Sequence, residues 1–338
     1  MTTGLAVYPA YQGNPIPGRL ALAMGRHEWA IAFRKLNPRG YLILRPDEGN
    51  DEAQFDDIGT DPVNSAQIFY SRFILPAMDH VPANTYSATL GPCETWHVDK
   101  LHWRAAFELA LCNMVRDNLA IDYIALSCPV GNLDSSQVSI FFDVFRAARW
   151  ISYHGYLGYD VQFTSSGGVY IHRSKLPQET DSWFLWRPLL IWLPILKAAG
   201  IPLRLLYTEI GTGPRPEDVG LSKHQLALLD VEIAKALEAT HKELGVELGG
   251  ALPFAFGAEG NMGANWNLDG YENYFVEETT MEWILAFADY AKLHPEKVGN
   301  PITGIMYDGQ GNAWQYSDRG MLFSAKGEGW KVYWHPKA

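Results

Sequence analysis

The sequence predicts a (β/α)8 barrel, a closed ring of parallel strands wrapped by helices, with a small β appendage at the C-terminus. Three observations carry that expectation. Short apolar strands alternate with helical patterns over about 300 residues, which implies a parallel sheet. No glycine-rich phosphate loop follows the first strand, as an open dinucleotide-binding sheet would show. Aromatic and charged residues recur just after many different strands, as expected when loops around a ring share one site.

Gly4 to Ala10 is a short apolar run followed by the turn signal Gly13-Asn14-Pro15, and it is the first expected strand. Arg19 to Leu36 carries apolar residues at helical spacing and stops before Asn37-Pro38-Arg39-Gly40, so a single helix is expected there. Tyr41 to Leu44 is the next strand, and it delivers Arg45-Pro46-Asp47-Glu48 to its C-terminal end. Ala66 to Met78 is helical in pattern, and Thr85 to Leu90 is a strand leading to Cys93-Glu94-Thr95-Trp96. A helix from His102 to Asn118 precedes the strand Ile121 to Leu126. Phe141 to Trp150 is again helical, and Ile151 to Tyr156 is a strand whose end bears Tyr153, His154 and Tyr156.

Leu157 to Thr180 is longer than an ordinary connection and reads as a lid or binding loop. Trp183 to Ala199 is the helix before the stretch Leu203 to Gly211, a short apolar strand that runs straight into Glu209 and then a glycine. Ser222 is placed to cap a helix whose apolar stripe is Leu226, Leu229, Ile233 and Leu237. Ala251 to Phe256 is the last strand of the ring, and a helix from Thr279 to Leu293 ends the alternation. Beyond Pro301 the pattern changes to hairpins, with turns at Tyr307 to Gly311 and Ala325 to Gly329. The expected division is therefore a barrel over residues 1–298 and an appendage over 299–338. The appendage has no cysteine pair to staple it, so it is expected to pack on the barrel. Seven strands are evident, and the eighth should lie in the first 90 residues.

Composition narrows the function classes. Among 338 residues, 47% are hydrophobic and 13% aromatic, enough for one large core. A formal net charge of -11 argues against a nucleic-acid partner, because few cations are available to replace backbone counterions. Cys93, Cys112 and Cys128 have no metal-type spacing, and the histidines form no close constellation, so no metal and no cofactor is expected. The first eight residues lack the basic start and apolar run of a secretory signal. The apolar stretch Trp183 to Gly200 is interrupted by Arg187, Pro188, Pro194 and Lys197, so no membrane span is expected.

Two carboxylates follow strands in positions that matter for chemistry, Glu94 and Glu209. With them the segments Cys93-Glu94, Pro129-Val130-Gly131-Asn132, Tyr153-His154-Gly155-Tyr156 and Thr208-Glu209-Ile210-Gly211 resemble those of the retaining glycoside hydrolases built on a TIM barrel, a clan A-like superfamily. The resemblance covers roughly residues 1–275. That clan carries an Asn-Glu-Pro acid/base motif after its fourth strand and a nucleophilic Glu after its seventh, often as Thr-Glu-x-Gly. The resemblance therefore implies Glu209 as nucleophile, Glu94 as acid/base and a carbohydrate substrate. Trp266-Asn267-Leu268-Asp269 resembles the aromatic segment after the eighth strand. Cys93 stands where the clan has Asn, and Thr95 where it has Pro.

Retaining hydrolysis needs one carboxylate as an anion and another that holds a proton. Arg45 would favour the anion if it reaches Glu209, and Trp96 would give Glu94 an apolar wall. His154 or Tyr156 could orient the nucleophile. Sugar faces stack on aromatic rings, which makes Trp96, Trp266, Tyr11 and Tyr170 subsite candidates, whereas Trp183, Trp186 and Trp192 read as core. The alternative to an enzyme is an inactive barrel that binds glycan or protein, and Cys93 and Thr95 are what favour it.

Overall fold

The computed structural model describes residues 3–16, 18–46, 61–92, 98–129, 131–157, 161–163, 169–171, 184–212, 222–254, 256, 267–275, 287, 290–300, 306–307, 313–324 and 331–337. By compactness the chain divides into two units, Met1–Glu272 and Asn273–Ala338.

The first unit is the (β/α)8 barrel. Its ring strands are β1 (Gly4–Val7), β2 (Leu20–Met24), β3 (Tyr41–Arg45), β4 (Ala88–Leu90), β5 (Asp122–Cys128), β6 (Trp150–Leu157), β9 (Arg204–Thr212) and β10 (Glu247–Pro253). They pair in that order, all parallel. Parallel bridges Thr3 to Ala251 and Val7 to Phe256 close the ring between its last and first strands. Two backbone hydrogen bonds hold that seam, Tyr8 N–H to Phe256 O at 2.9 Å and Phe256 N–H to Ala6 O at 2.9 Å. The hairpin β7 (Val161–Phe163) and β8 (Val169–Ile171) stands apart from the ring as an antiparallel pair, within the segment expected to be irregular.

The eighth strand is β2, and it corrects the expectation of one helix from Arg19 to Leu36. Leu20 and Leu22 point into the barrel with Ala6 and Ile43, while Ala21 and Ala23 are buried on the other face. A strand buried on both faces is a continuous apolar run, which periodicity cannot separate from a buried helix. Gly25, at φ +61°, ends it in a left-handed turn, and helix α1 (His27–Leu36) starts two residues later.

Among the described residues the remaining helices follow the expected plan, and most of the helix expected from Thr279 to Leu293 lies outside them. α2 (Pro62–Phe69) is capped by Asp61, which accepts from the Val63 amide, and it continues through a π-helical turn, Tyr70–Ile74, into α3 (Leu75–Asp79). α4 (Leu101–Asn118), α5 (Phe142–Ala147) and α6 (Leu193–Ala198) pack their apolar faces on the outside of the strands. α7 (Lys223–Leu244) opens on a capping box of Ser222 and Gln225 and ends at Gly245 in the left-handed conformation. The inner core is small, Ala6, Leu20, Leu22, Ile43, Ala88, Leu90, Ile124, Trp150, Leu206 and Leu252. The larger core lies between strands and helices and contains Trp186 and Trp192, both fully buried as expected.

One buried ion pair belongs to this outer layer. Arg104 binds Glu108 one helical turn away, Nη2 to Oε1 at 2.8 Å, with side chains 3% and 0% exposed. Glu108 Oε2 also accepts from Tyr123 Oη at 2.6 Å and from the Leu126 amide at 3.2 Å, and Arg104 donates to Pro92 O at 2.7 Å. Leu126 and Ser127 have positive φ, where β5 carries a bulge against β6. The cluster thus ties the exit of β4 to a bulged strand. Gly91 completes it, since a Cβ there would lie 2.2 Å from the Tyr123 hydroxyl.

The second unit contains β11 (Met306–Tyr307), β12 (Ala313–Tyr316), β13 (Gly320–Ser324) and β14 (Tyr333–Pro336), an antiparallel meander. Its own core joins Phe287, Val298 and Leu322, with Trp334 packed against them, so α8 (Pro295–Val298) belongs with this sheet. The expected turns at 308–311 and 325–329 lie outside the described residues.

Candidate active site

The site forms where β1, β3, β6 and β9 end at the C-terminal mouth of the ring. Side chains alternate along a strand, so each mouth residue is fixed by an inward residue two positions earlier. Ala6 and Ile43 lie in the inner core, which aims Tyr8 and Arg45 inward. In β6 and β9 the layer above the apolar core is polar, with Ser152 Oγ 2.5 Å from Thr208 Oγ1, and His154 and Tyr156 continue the Ser152 face.

Glu209 needs one more device. Leu206 is in the inner core, whereas Leu205 and Tyr207 are in the outer one, so strict alternation would turn Glu209 outward with Tyr207. The register against β6 pairs Tyr153 with Tyr207 and then His154 with Glu209, which leaves Thr208 as an extra residue. This β-bulge resets the alternation and points Glu209 into the mouth; Ile210 then returns to the outer core.

Four side chains from three other strands converge on its carboxylate. Arg45 Nη1 donates to Oε1 at 3.0 Å, and Tyr8 Oη donates to the same oxygen at 3.3 Å. Arg45 Nη1 also reaches Tyr8 Oη at 2.5 Å and its guanidinium lies 5.3 Å from the Tyr8 ring centre. On the other oxygen, Tyr156 Oη donates to Oε2 at 2.8 Å and His154 Nδ1 lies 3.3 Å away. Glu209 keeps 7% of its side chain exposed, His154 1% and Arg45 11%. The arrangement is a buried anion held in one orientation by donors on both oxygens, at the end of the barrel where chemistry sits in this fold.

The structure thus brings Arg45, His154, Tyr156 and Glu209 together. Glu94, Trp96 and Trp266 lie outside the described residues. Tyr8 was not among the expected site residues, and its only signal is an aromatic placed immediately after the first strand. Tyr11, expected as a sugar subsite, is a core residue: it is 1% exposed, packs edge-on against Trp29 and Phe256, and donates to Glu272 at 2.9 Å. Tyr170 lies on β8. Among the described residues no group of His, Cys, Asp or Glu could hold a metal ion, and no helix is long and apolar enough to cross a membrane. Cys112 and Cys128 are buried cysteines outside any disulfide, and burial pushes the Cys112 thiol up to about 11.

No protein-family model matches the chain, and no curated protein does. Several solved structures match the chain. A 4-O-α-L-rhamnosyl-β-D-glucuronidase from Fusarium oxysporum 12S is 12% identical with a TM-score of 0.37, over 84% of this chain and 57% of that one. A glucosidase from Croceicoccus marinus is 11% identical with a TM-score of 0.43, over 95% and 73%. A Bacteroides ovatus GH5 xyloglucanase, solved with a XXXG heptasaccharide, is 13% identical with a TM-score of 0.46, over 83% and 73%. This chain spans little more than half the length of the Fusarium enzyme.

Proposed function

We propose that the chain is a retaining glycosidase that hydrolyses β-linked oligo- or polysaccharide, with Glu209 as nucleophile and Glu94 as acid/base. The observation that carries this reading is the Glu209 carboxylate, re-aimed by a bulge into the barrel mouth and gripped by Arg45, Tyr8, His154 and Tyr156. Donors on both oxygens fix the direction of the lone pairs, so attack on an anomeric carbon needs no search over rotamers.

In the first step a Glu209 oxygen bonds to the anomeric carbon while Glu94 passes its proton to the departing glycosidic oxygen. As the charge on Glu209 is consumed, the Tyr156 and His154 bonds to Oε2 weaken, and they regain full strength when the intermediate is hydrolysed. In the second step Glu94, now a base, takes a proton from water as that water attacks the same carbon and frees Glu209. Trp96 and Trp266 are the ring platforms we assign to the sugar faces.

Leaving-group dependence tests the assignment. Glu94→Gln should retain glycosyl-enzyme formation from an aryl glycoside with a good leaving group and lose about 10²- to 10⁴-fold on a poor one. Equal rates on the poor leaving group would remove Glu94 from the mechanism. A wild-type chain without turnover on any aryl β-glycoside, yet retaining a glycan, would favour the non-catalytic barrel, the reading that Cys93 and Thr95 support.

A further inference from the structure

One buried acid of the barrel has no part in the chemistry above. Asp230 lies on the covered face of α7, with Leu226, Ala227, Ile233 and Ala234 buried one turn to either side of it. Among the described residues neither of its carboxyl oxygens has a hydrogen-bond partner. The helix packs on β8, β9 and β10, and Asp230 meets the end of β9: a Cβ on Gly211 would lie 3.8 Å from Asp230 Oδ1 and 3.4 Å from the Tyr156 ring. Gly211 follows Glu209 by two residues, and Tyr156 is the donor to Glu209 Oε2. The acid therefore abuts the strand end that carries the candidate nucleophile.

An unpaired carboxylate in such a place is far costlier than a neutral carboxyl, because nothing replaces its hydration. No neighbouring element supplies a cation to it. On β9, Arg204 donates to the Ala148 carbonyl, Tyr207 meets His241 Nε2 at 3.4 Å further along α7, and Glu209 turns into the mouth toward Arg45. The one charged residue of β10 is Glu247, paired with Arg149, and the one titratable residue of β8 is Tyr170. On α7 itself Glu232 pairs with Lys235, and Glu238 is exposed. Burial alone pushes Asp230 well above the usual carboxylate range, and burial pushes His241 down to about 4. The helix thus buries an acid and a base that are both neutral, and they answer pH with opposite sign. Stability that rests on neutral His241 is lost as pH falls from about 6.5 toward about 4. Stability that rests on neutral Asp230 is lost as pH rises from about 4 toward its raised value.

We propose that the contact between α7 and β9 is a pH-sensitive joint: Asp230 keeps it shut as a neutral carboxyl, and loss of that proton admits water between the helix and the strand end that bears Glu209. The joint follows from burial and the absence of a partner, and it holds whatever Glu209 does.

The test is hydrogen–deuterium exchange of the full chain by mass spectrometry, parent against Asp230→Asn, between about pH 5 and about pH 8. At each pH the ratio of protection, variant over parent, cancels both the chemical exchange rate and the opposing titration of His241. In peptides from β9 and α7 that ratio should rise by up to about tenfold per pH unit, the dependence of an opening that releases one proton. A ratio that stays flat with pH overturns the proposal. An equal rise in peptides from β3 also overturns it, since the whole barrel and not this joint would then open. Asp230→Leu, apolar and of similar size, repeats the measurement without a buried amide and should give the same trend. Turnover enters none of these readouts, so failure here and failure of the Glu209 assignment are told apart.

Discussion

Two arginine–glutamate pairs of low exposure stand among the described residues of this barrel, each with a tyrosine hydroxyl on the carboxylate, and their surroundings differ. Glu108 faces Arg104, Tyr123 and the Leu126 amide behind the wall of strands and is fully buried. Its partners in turn bind backbone, since Arg104 reaches the Pro92 carbonyl. Glu209 stands at the open end of the ring, where its partners are side chains from other strand ends. A carboxylate woven into backbone hydrogen bonds is a structural tie. One held only by side chains above the core can exchange a partner for a substrate. The contrast predicts that mutation of the first pair costs stability and that mutation of the second costs turnover.

The largest expected effect is on Glu209. Glu209→Gln should lose at least about 10⁴-fold in kcat, the scale on which removal of a nucleophile acts, with the thermal midpoint nearly unchanged. A loss of folded protein in step with activity would make Glu209 a second structural tie and erase the contrast.

Glu108→Ala comes next, with destabilisation of about 3–5 kcal/mol, because it leaves the Arg104 guanidinium buried without its partner. For a chain of this size that is roughly a 4–7 °C fall in thermal midpoint, measured by calorimetry. The folded fraction should keep its active-site titre. A midpoint within 2 °C of the parent, on the order of 1 kcal/mol or less, would contradict the structural assignment.

How much of this was legible in the sequence depends on which force fixes each feature. The strand and helix alternation was visible because most ring strands are flanked by turn residues and separated by amphipathic helices, as at Tyr41–Arg45 and Asp122–Cys128. β2 was hidden because Leu-Ala-Leu-Ala-Met is buried on both faces and adjoins a true helix. Glu209 and Arg45 were visible as charges just after strands. The bulge at Thr208 was not, since alternation alone would have turned Glu209 outward, and only the pairing with β6 reveals the extra residue. Tyr8 carries no signal beyond its position, and Tyr11 misled because an aromatic in a loop reads the same whether it faces sugar or packs on Trp29 and Phe256. Glu108 sits in an ordinary helical pattern, and its importance arises from Tyr123 and Leu126 on another element.

Tyr156→Phe should sharpen the comparison at an intermediate scale. It removes the 2.8 Å donor to Oε2 and leaves His154 in place, so kcat should fall about 10²-fold, the effect of one oriented donor. Tyr123→Phe, the matching change at Glu108, should leave kcat within about threefold and lower stability by about 1–3 kcal/mol. Steady-state kinetics and denaturant midpoints on the two variants check both halves, and a kcat loss in Tyr123→Phe as large as in Tyr156→Phe would break the distinction.

The smallest effect belongs to an exposed pair of the same chemistry. Arg149 and Glu247 meet at 2.8 Å with side chains 41% and 48% exposed. Solvent screening leaves such pairs about 0–1 kcal/mol, so Arg149→Ala should cost little beyond its contact with the Trp150 ring. A destabilisation near that of Glu108→Ala would show that burial is not what separates these pairs.

The measurement that bears most directly on the central claim is covalent capture of the nucleophile. Incubation with a 2-fluoro-β-glycosyl fluoride series, followed by peptide mass spectrometry, should place a single glycosyl adduct on Glu209 and none on the Glu209→Gln variant. Time-dependent labelling at another carboxylate, or a chain that turns over substrate and takes no label at Glu209, would contradict the account.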